Sequence, residues 1–462
     1  MAGDEGRVAF LDYRLNPCYL WNRFFEISVV CGQSLMERVT LVLGLGVSGI
    51  AAAEFLLRNG RVVVGVDDNR SHLQNSPEIH KLQVQGLVVQ PSCDPIDWSR
   101  VERLVVSPGI SPKNPIYQEA RKHQVPVIGE AELALPFFQK PLLAVTGTNG
   151  KTTVTLLTCH VLNSVGIKTK ALGNVGQALC HYLLQPDDSE VFVVELSSFQ
   201  LETMFTPVFE SAVLLNITPD HLDRYTDMEA YAAAKCKLQY LMKKDAPFYV
   251  QEQAAREFGK LLAAHNAMIF SSPGNSFFNY RDMKEHDYEN AMAAWALCQG
   301  FSVTEKQFLR ALETFKKPPH RVEFVREIDG VFYYDDSKGT NIDAVIKAVR
   351  AMKGPVILIA GGVDKGSSYL LWKDHFAGKV KQIIAIGQAA QKIYNELNPH
   401  FNVKLAETLD LAVQTAADDA KQGDTVLLSP GCSSYDMFRD YTHRGEAFQH
   451  CVYKLYEGRR IP

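Results

Sequence analysis

One turn constrains the fold of this chain more than any other stretch. It reads Thr146-Gly147-Thr148-Asn149-Gly150-Lys151-Thr152-Thr153, directly follows the apolar run at 142–145, and opens onto a helix-forming segment. A glycine-rich loop between a buried strand and a helix aims backbone N–H groups at phosphate. Its lysine supplies a point charge for the β- and γ-phosphates, and a Thr hydroxyl can ligate Mg²⁺. Val145 occupies the position where the strict P-loop pattern has its first glycine. A chance Gly-Lys-Thr in a surface loop would leave the strand before it and the helix after it unexplained. The turn therefore predicts a nucleoside triphosphate site at the carboxyl end of a parallel strand.

The rest of the chain agrees with a sheet of that kind, repeated. Apolar runs at 39–43, 62–66, 104–106, 125–128, 142–145, 191–194, 212–215, 356–359, 383–386 and 425–428 are bounded by Gly, Pro or Asp and alternate with helical stretches such as 48–59. Fully apolar runs of this length mark strands buried on both faces, so the expected class is α/β with several parallel sheets. A hairpin is expected at 322–328 and 331–335, turning at Asp329-Gly330. A chain of 462 residues has room for about three domains. Breaks at Pro136 and Pro141 and at Pro318-Pro319 put the boundaries near 130 and 317. Residues 1–36 carry no sustained period and no signal-peptide pattern, and Met36 stands just before the first strong strand. The expectation is a non-native or disordered extension, of which residues 1–35 can be deleted without loss of activity.

The first glycine turn along the chain, Gly44-Leu45-Gly46-Val47-Ser48-Gly49, lies between the first expected strand and helix, and Asp67 and Asp68 follow 23 and 24 residues after Gly44. This pattern suits a diphosphate at a helix N-terminus with an acid on a sugar hydroxyl. Alone it fits a nicotinamide oxidoreductase, or a tight turn with no ligand. Neither accounts for the second turn.

Further motifs are Gly173-Asn174-Val175-Gly176, Glu195-Leu196-Ser197-Ser198-Phe199-Gln200-Leu201-Glu202, Asn216-Ile217-Thr218-Pro219-Asp220-His221-Leu222-Asp223-Arg224, His320-Arg321-Val322-Glu323, Asp336-Ser337-Lys338-Gly339-Thr340-Asn341 and Leu428 to Ser434. In order and wording, from residue 36 to residue 462, the chain resembles the Mur ligase family, which builds the peptide of bacterial cell-wall precursors. The stretch Leu196–Glu202 and Ser107-Pro108-Gly109-Ile110 most resemble the D-glutamate-adding members. The resemblance implies a Rossmann-like N-terminal domain (37–130) for a UDP-linked substrate, a central P-loop ATPase-type domain (131–317) and a Rossmann-like C-terminal domain (318–462) for the incoming amino acid. It also implies ATP-dependent addition of D-glutamate to UDP-N-acetylmuramoyl-L-alanine through an acyl phosphate, with release of ADP and phosphate.

The resemblance implies roles residue by residue. ATP would be held by Gly147, Thr148, Asn149, Gly150, Lys151, Thr152, Thr153, Asn290 at a helix start, Arg321 from the interdomain linker, Asp336 and Lys338. Two Mg²⁺ ions are implied. Thr152 and Glu195 would hold the first. His221 and Lys235, the latter carbamylated, would hold the second. Lys151, His221, Lys235 and Arg321 are the catalytic candidates. The UDP substrate would meet Gly46, Val47, Ser48, Asp67, Asp68, Ser107, Gly109, Asn174, Ser198 and Gln200, and D-glutamate would meet Thr340, Lys365, Ser434 and Tyr441. The chain departs from the family pattern at Asn69-Arg70, where a basic residue often follows the acid at once, and at His286-Asp287, where the family usually has His-Asn.

Lys and Arg total 48 against 52 Asp and Glu, a net charge of -4, and no apolar run approaches the ~20 residues that span a bilayer. Neither a nucleic-acid nor a membrane partner is expected. The nine Cys residues are scattered with no Cys-x-x-Cys pair, which suits a reduced cytoplasmic chain without a zinc site. A monomer is expected, with closure of the C-terminal domain during turnover. The rival readings are an L-alanine-adding relative and, more distantly, a folate polyglutamylating ligase, which would not need a UDP domain.

Overall fold

The computed structural model describes residues 38–263, 265–270 and 285–458. The extension expected at 1–36 lies outside the described residues.

Three sheets follow one another along the chain. The first contains β1 (Val39–Leu43), β2 (Val62–Val66), β3 (Val88–Gln90), β4 (Val101–Val106) and β5 (Val127–Gly129), in the order β3-β2-β1-β4-β5, all parallel. The second contains β6 (Leu142–Thr146), β7 (Thr169–Gly173), β8 (Val191–Glu195), β9 (Ser211–Leu214), β10 (Phe248–Gln251) and β11 (Ala267–Phe270), in the order β11-β10-β9-β6-β8-β7, again all parallel. The third is mixed. Its edge strand β12 (Glu323–Ile328) runs antiparallel to β13 (Val331–Asp335), and β17 (Thr425–Leu428), β14 (Val356–Gly361), β15 (Val380–Ile386) and β16 (Val403–Leu405) continue the sheet in parallel. The molecule is thus the α/β protein expected, with Rossmann-like first and third sheets flanking a P-loop sheet.

Each apolar run read from the sequence is a strand, with ends shifted by a few residues. The hairpin turns at Asp329 (φ 52) and Gly330 (φ 75), both left-handed, as a two-residue turn between twisted strands requires. β3, β7, β10, β11 and β16 were not anticipated. Four of these five are sheet edges, where polar residues such as Gln90, Lys170 and Lys404 are tolerated, so their apolar signal is weak.

In open parallel sheets ligands collect outside the carboxyl ends of the strands, where the strand order reverses. The site motifs lie there, and His320–Glu323 reaches the same end because it opens the antiparallel β12, whose Glu323 pairs with Asp335 at the end of β13. Gly44–Gly49 follows β1 and Ser107–Ile110 follows β4. The phosphate loop follows β6, Glu195 ends β8, and Asn216–Arg224 follows β9. Asp336–Thr340 follows β13, Gly362–Lys365 follows β14, and Ser429–Ser434 follows β17. The sheets are turned so that these ends meet.

Candidate functional site

The phosphate loop is built from the strand outward. Thr146, fully buried at the end of β6, donates its hydroxyl to Leu196 O at 2.8 Å. Gly147 has φ 151, and a Cβ there would stand 2.8 Å from Leu215 Cβ, so the loop can pass only as glycine. Asn216 closes the other side: its carbonyl accepts from Thr148 N at 2.7 Å and its side-chain oxygen from Asn149 N at 2.8 Å. Gly150 (φ 89) caps the helix Lys151–Ser164, whose first turn carries Thr152 and Thr153, both buried. Asn290 lies against this cap, its Oδ1 2.3 Å from where a Gly150 Cβ would be. The described part of the helix carrying Asn290 begins at Glu285, which puts Asn290 more than a turn inside it rather than at its start.

Two lysines converge on one carbonyl. Lys151 Nζ donates to Gly147 O at 2.9 Å and to Thr148 O at 2.8 Å, and Lys235 Nζ donates to the same Gly147 O at 2.7 Å. Lys235 projects from the helix Met228–Cys236 and is 1% exposed. Burial, and next the neighbouring Lys151 charge, hold its amine well below the usual lysine range. Lys151 is lowered too, chiefly by burial.

Glu195 is buried beside them. Its Oε1 accepts from Asn174 Nδ2 at 2.7 Å, while its Oε2 is buried with no hydrogen-bond partner. Glu195 is not a helix cap: Ser197 and Gln200 form the capping box of the helix Ser198–Leu201 themselves. Gln200 therefore spends its side-chain carbonyl within its own helix, and Ser198 is buried at the helix start. His221 takes a left-handed backbone (φ 56), and burial pushes its imidazole down to about 3, so the ring is neutral. A neutral imidazole, a buried carboxylate with a bare oxygen and a Thr hydroxyl are donors that suit a hard divalent cation.

The third sheet closes over this centre. Lys365 Nζ donates to Asp220 Oδ1 at 3.0 Å and to Thr340 Oγ1 at 3.5 Å. The neighbouring Asp364 instead takes Lys392 and Tyr369 Oη. Asn149 Nδ2 donates to Asp343 Oδ2 at 2.9 Å, and Asn341 Nδ2 donates to Asn149 Oδ1 at 2.9 Å. Asp336 accepts from Ser429 Oγ at 2.6 Å, and burial pushes its carboxyl up to about 7. Lys338 Nζ stands 3.8 Å from the centre of the Tyr441 ring, and burial pulls it down to about 8. Ser434 is buried on a loop that pairs with the Lys365 loop through Val363 and Ser433. Arg321 enters from a turn whose flanking residues are both left-handed, His320 (φ 60) and Val322 (φ 49). His320 Nδ1 is bonded to Asp335 Oδ2 at 2.7 Å, which holds the turn. Arg321, Asp336, Lys338, Asn149, Gly150, Thr153 and Asn290 line one cleft of about 180 Å³ between the second and third sheets.

Of the candidates for the UDP substrate, Gly46, Val47, Ser48, Asp67, Asp68, Ser107 and Gly109 lie together on the first sheet, whereas Asn174, Ser198 and Gln200 stand on the second. Asp67 Oδ2 accepts from Leu45 N at 2.7 Å and its Oδ1 from Asn69 N at 2.8 Å, so its carboxylate stitches the first glycine turn. Asp68 accepts from Ser92 N at 3.1 Å. Ser107 donates to Gly44 O at 2.7 Å. The helix begins at Val47, next to Ser48, after Gly46, whose Cβ side is open, as is that of Gly109.

Several residues that build the site were not singled out from the sequence. Asp220, Asn341 and Asp343 bridge the second and third sheets. Arg444, 1% exposed, donates to Ser337 O, Ser337 Oγ and Cys432 O, tying the Lys338 loop to the Ser434 loop. Asp220 and Asn341 stood inside motifs already read. Arg444 had no such marker, because a lone Arg on a charged helix reads as a solvated one.

Comparison with known proteins followed the same division. Residues 38–129 match the model of the Mur ligase MurD-like N-terminal domain, 145–296 the Mur ligase middle domain, and 320–432 the Mur ligase glutamate ligase domain. A UDP-N-acetylmuramoylalanine–D-glutamate ligase of Protochlamydia amoebophila is 49% identical, covering 91% of this chain and 99% of the relative. One of Thermoanaerobacter pseudethanolicus is 36% identical, covering 92% and 100%. The solved MurF ligase of Thermotoga maritima in complex with ADP shares the fold, with a TM-score of 0.58, 17% identity, and coverage of 86% of this chain and 95% of that one.

Proposed function

The chain belongs to the Mur ligase family, and we propose that it joins D-glutamate to UDP-N-acetylmuramoyl-L-alanine at the expense of ATP, in cytoplasmic synthesis of peptidoglycan precursors. The observation that carries this reading is the meeting of three sets of strand ends. A phosphate loop stands between a first sheet with a diphosphate-type turn and a third sheet that delivers Lys365. We assign the units 37–130, 131–317 and 318–462 to the UDP substrate, ATP and the amino acid, in a chain that acts as a monomer. No described helix is long and apolar enough to cross a membrane.

A free carboxylate does not form an amide at neutral pH, because oxide is a poor leaving group. In the proposed reaction the alanyl carboxylate attacks the γ-phosphorus of ATP, ADP departs, and an acyl phosphate remains. The amine of D-glutamate, as the free base, then adds to the carbonyl carbon, one N–H proton is lost to solvent, and phosphate leaves. Lys151 now rests on the carbonyls of its own loop and is free to exchange them for phosphate oxygens. Arg321 presents a planar fork to the charge that develops on the transferring phosphate. Lys365 exchanges Asp220 for a substrate carboxylate, with Thr340, Ser434 and Tyr441 around it. Asn174, Ser198 and Gln200 face the muramoyl-alanine. Gly46, Val47, Ser48, Asp67, Asp68, Ser107 and Gly109 surround the UDP group. Asn290, Asp336 and Lys338 hold adenosine and phosphate.

Thr152 and Glu195 fit Mg²⁺: the bare Oε2 of Glu195 is buried and has no hydrogen-bond partner. Bound Mg²⁺ would neutralise charge on the ATP phosphates. His221 would hold a second ion, with Lys235 beside it as a carbamate. The neutral amine attacks CO₂, a C–N bond forms, and one proton is lost. The depressed basicity of Lys235 supports this, since only the free amine reacts. Lys235→Ala is expected to be inactive and to recover with added short carboxylates such as acetate; near-normal activity without them would refute the carbamate.

The test of the reading is phosphate release from ATP. Release is expected only with UDP-N-acetylmuramoyl-L-alanine and D-glutamate together. Equal turnover with UDP-N-acetylmuramic acid and L-alanine would overturn it.

A further inference from the structure

We propose that Arg224 is a positioning residue that holds the Ser107–Ile110 loop in its substrate-binding shape and couples that loop to the His221 turn. The proposal rests on the ligase reading above.

Arg224 follows β9 on the second sheet, yet its guanidinium reaches the first. Its NH1 donates to Ile110 O at 3.0 Å and to Pro108 O at 3.3 Å, the carbonyls on either side of Gly109. Gly109 itself has nothing within 4 Å of where a Cβ would be. The loop is therefore gripped at its flanks while its tip stays open. The other edge of the guanidinium is fixed by Glu202: NH2 donates to Oε2 at 2.6 Å and Nε to Oε1 at 3.3 Å, and Tyr225 Oη donates to Oε1 at 2.5 Å. Paired with Glu202 on one side, the fork has a single orientation left for the two carbonyls. Lysine, a point charge, cannot serve all of these acceptors together.

The same residue is wired to the reacting centre. Arg224 N donates to His221 O at 3.0 Å, closing the turn in which His221 is left-handed. The guanidinium carbon lies 4.1 Å from the centre of the Phe199 ring, and that ring lies 4.6 Å from the His221 ring. Phe199 stands between Ser198 and Gln200. On the far side of the turn, Asp223 N donates to Lys365 O at 3.3 Å. One short segment thus touches the UDP loop, the His221 turn and the amino-acid loop. A shift of the Ser107–Ile110 loop on binding would be felt at His221 through Arg224 and Phe199.

The experiment is steady-state kinetics of the full chain and its Arg224→Ala, Arg224→Lys and Glu202→Gln variants, with melting curves for each. For Arg224→Ala, KM for UDP-N-acetylmuramoyl-L-alanine should rise about 10- to 100-fold, as expected for loss of charged hydrogen bonds. KM for ATP should stay within about twofold of the wild type. Guanidinium at a non-denaturing concentration should restore part of the loss in Arg224→Ala and none in Glu202→Gln, whose arginine is intact. If Arg224→Ala does not fold, Arg224→Lys decides, with the same KM split expected. Equal rises in both KM values, or an unchanged KM for the UDP substrate in a folded variant, overturns the proposal alone. A wild-type enzyme that releases no phosphate with D-glutamate overturns the ligase reading and this proposal with it.

Discussion

Between the first and second sheets a single apolar cluster runs from Val42, Leu45 and Phe55 through Ala131, Leu133 and Leu135 to Leu142, Phe192 and Phe248. Between the second and third sheets the apolar clusters of the described residues stay apart. There the contacts include Lys365 to Asp220 at 3.0 Å, Asn149 to Asp343 at 2.9 Å and Asp223 N to Lys365 O at 3.3 Å. The difference assigns the two seams different work. Apolar burial is strong and has no substitute in water, so the first seam holds. Polar bonds exchange for bonds to water or substrate at a small net cost, so it is the second seam that we propose opens and closes around ATP.

The sharpest way to break this comparison is to remove a partner from the polar seam. Lys365→Ala leaves Asp220 buried without its cation, which costs about 3–5 kcal/mol. The expected outcome is a loss of about 10²- to 10³-fold in kcat/KM for D-glutamate and a more extended small-angle scattering profile. A compact, active variant would show that the seam is not held by this pair. In the apolar seam, Leu135→Ala should cost about 2–5 kcal/mol of stability. Because one core serves both sheets, the first two units should still melt in one calorimetric transition. Two separated transitions would mean that the core is not shared.

A third test uses pH. Glu130 lies in the apolar seam, accepts from Cys180 N at 2.5 Å, and is pushed up to about 7 by burial. A carboxyl raised in the folded state binds its proton more tightly there than when unfolded. Its stabilising contribution is present below pH 4.5 and is lost as pH rises through 7. Glu130→Gln mimics the protonated form, so it should flatten the fall in melting temperature from acid to neutral pH. At pH ~8 it should be more stable than the wild type by about 1–3 kcal/mol. An unchanged pH profile would count against a buried, titrating Glu130. The smallest effect belongs to Asp343→Ala. Losing its bond to Asn149 should cost about 0.5–1.5 kcal/mol, read as a few-fold rise in KM for ATP with the melting temperature unmoved.

Legibility followed the range of the interactions. The phosphate loop, the first glycine turn and the Asp329-Gly330 hairpin were readable because neighbouring residues alone demand those backbones. The buried central strands were readable from their apolar runs. The edge strand Thr169–Gly173 was not, because Thr169 and Lys170 break the pattern and its pairing with β8 is decided far along the chain. Lys235 could be placed on a helix. That its amine would share Gly147 O with Lys151 could not be read, since the two partners lie 88 and 4 residues from that carbonyl. Arg444 and Arg224 show the same limit. Each serves backbone carbonyls, and a backbone carbonyl has no letter in a sequence.

By itself, then, the sequence determined the α/β alternation, the loops that can cradle phosphate, and the residue types on hand for ligase chemistry. These depend on periodicity and on glycine geometry, which act over a few neighbours. The tertiary structure alone decided that Lys365 would meet Asp220, that Glu195 would bury one oxygen without a partner, and that one seam would be apolar and the other polar. Such outcomes depend on which surfaces meet after the sheets have formed, and on the water excluded when they do.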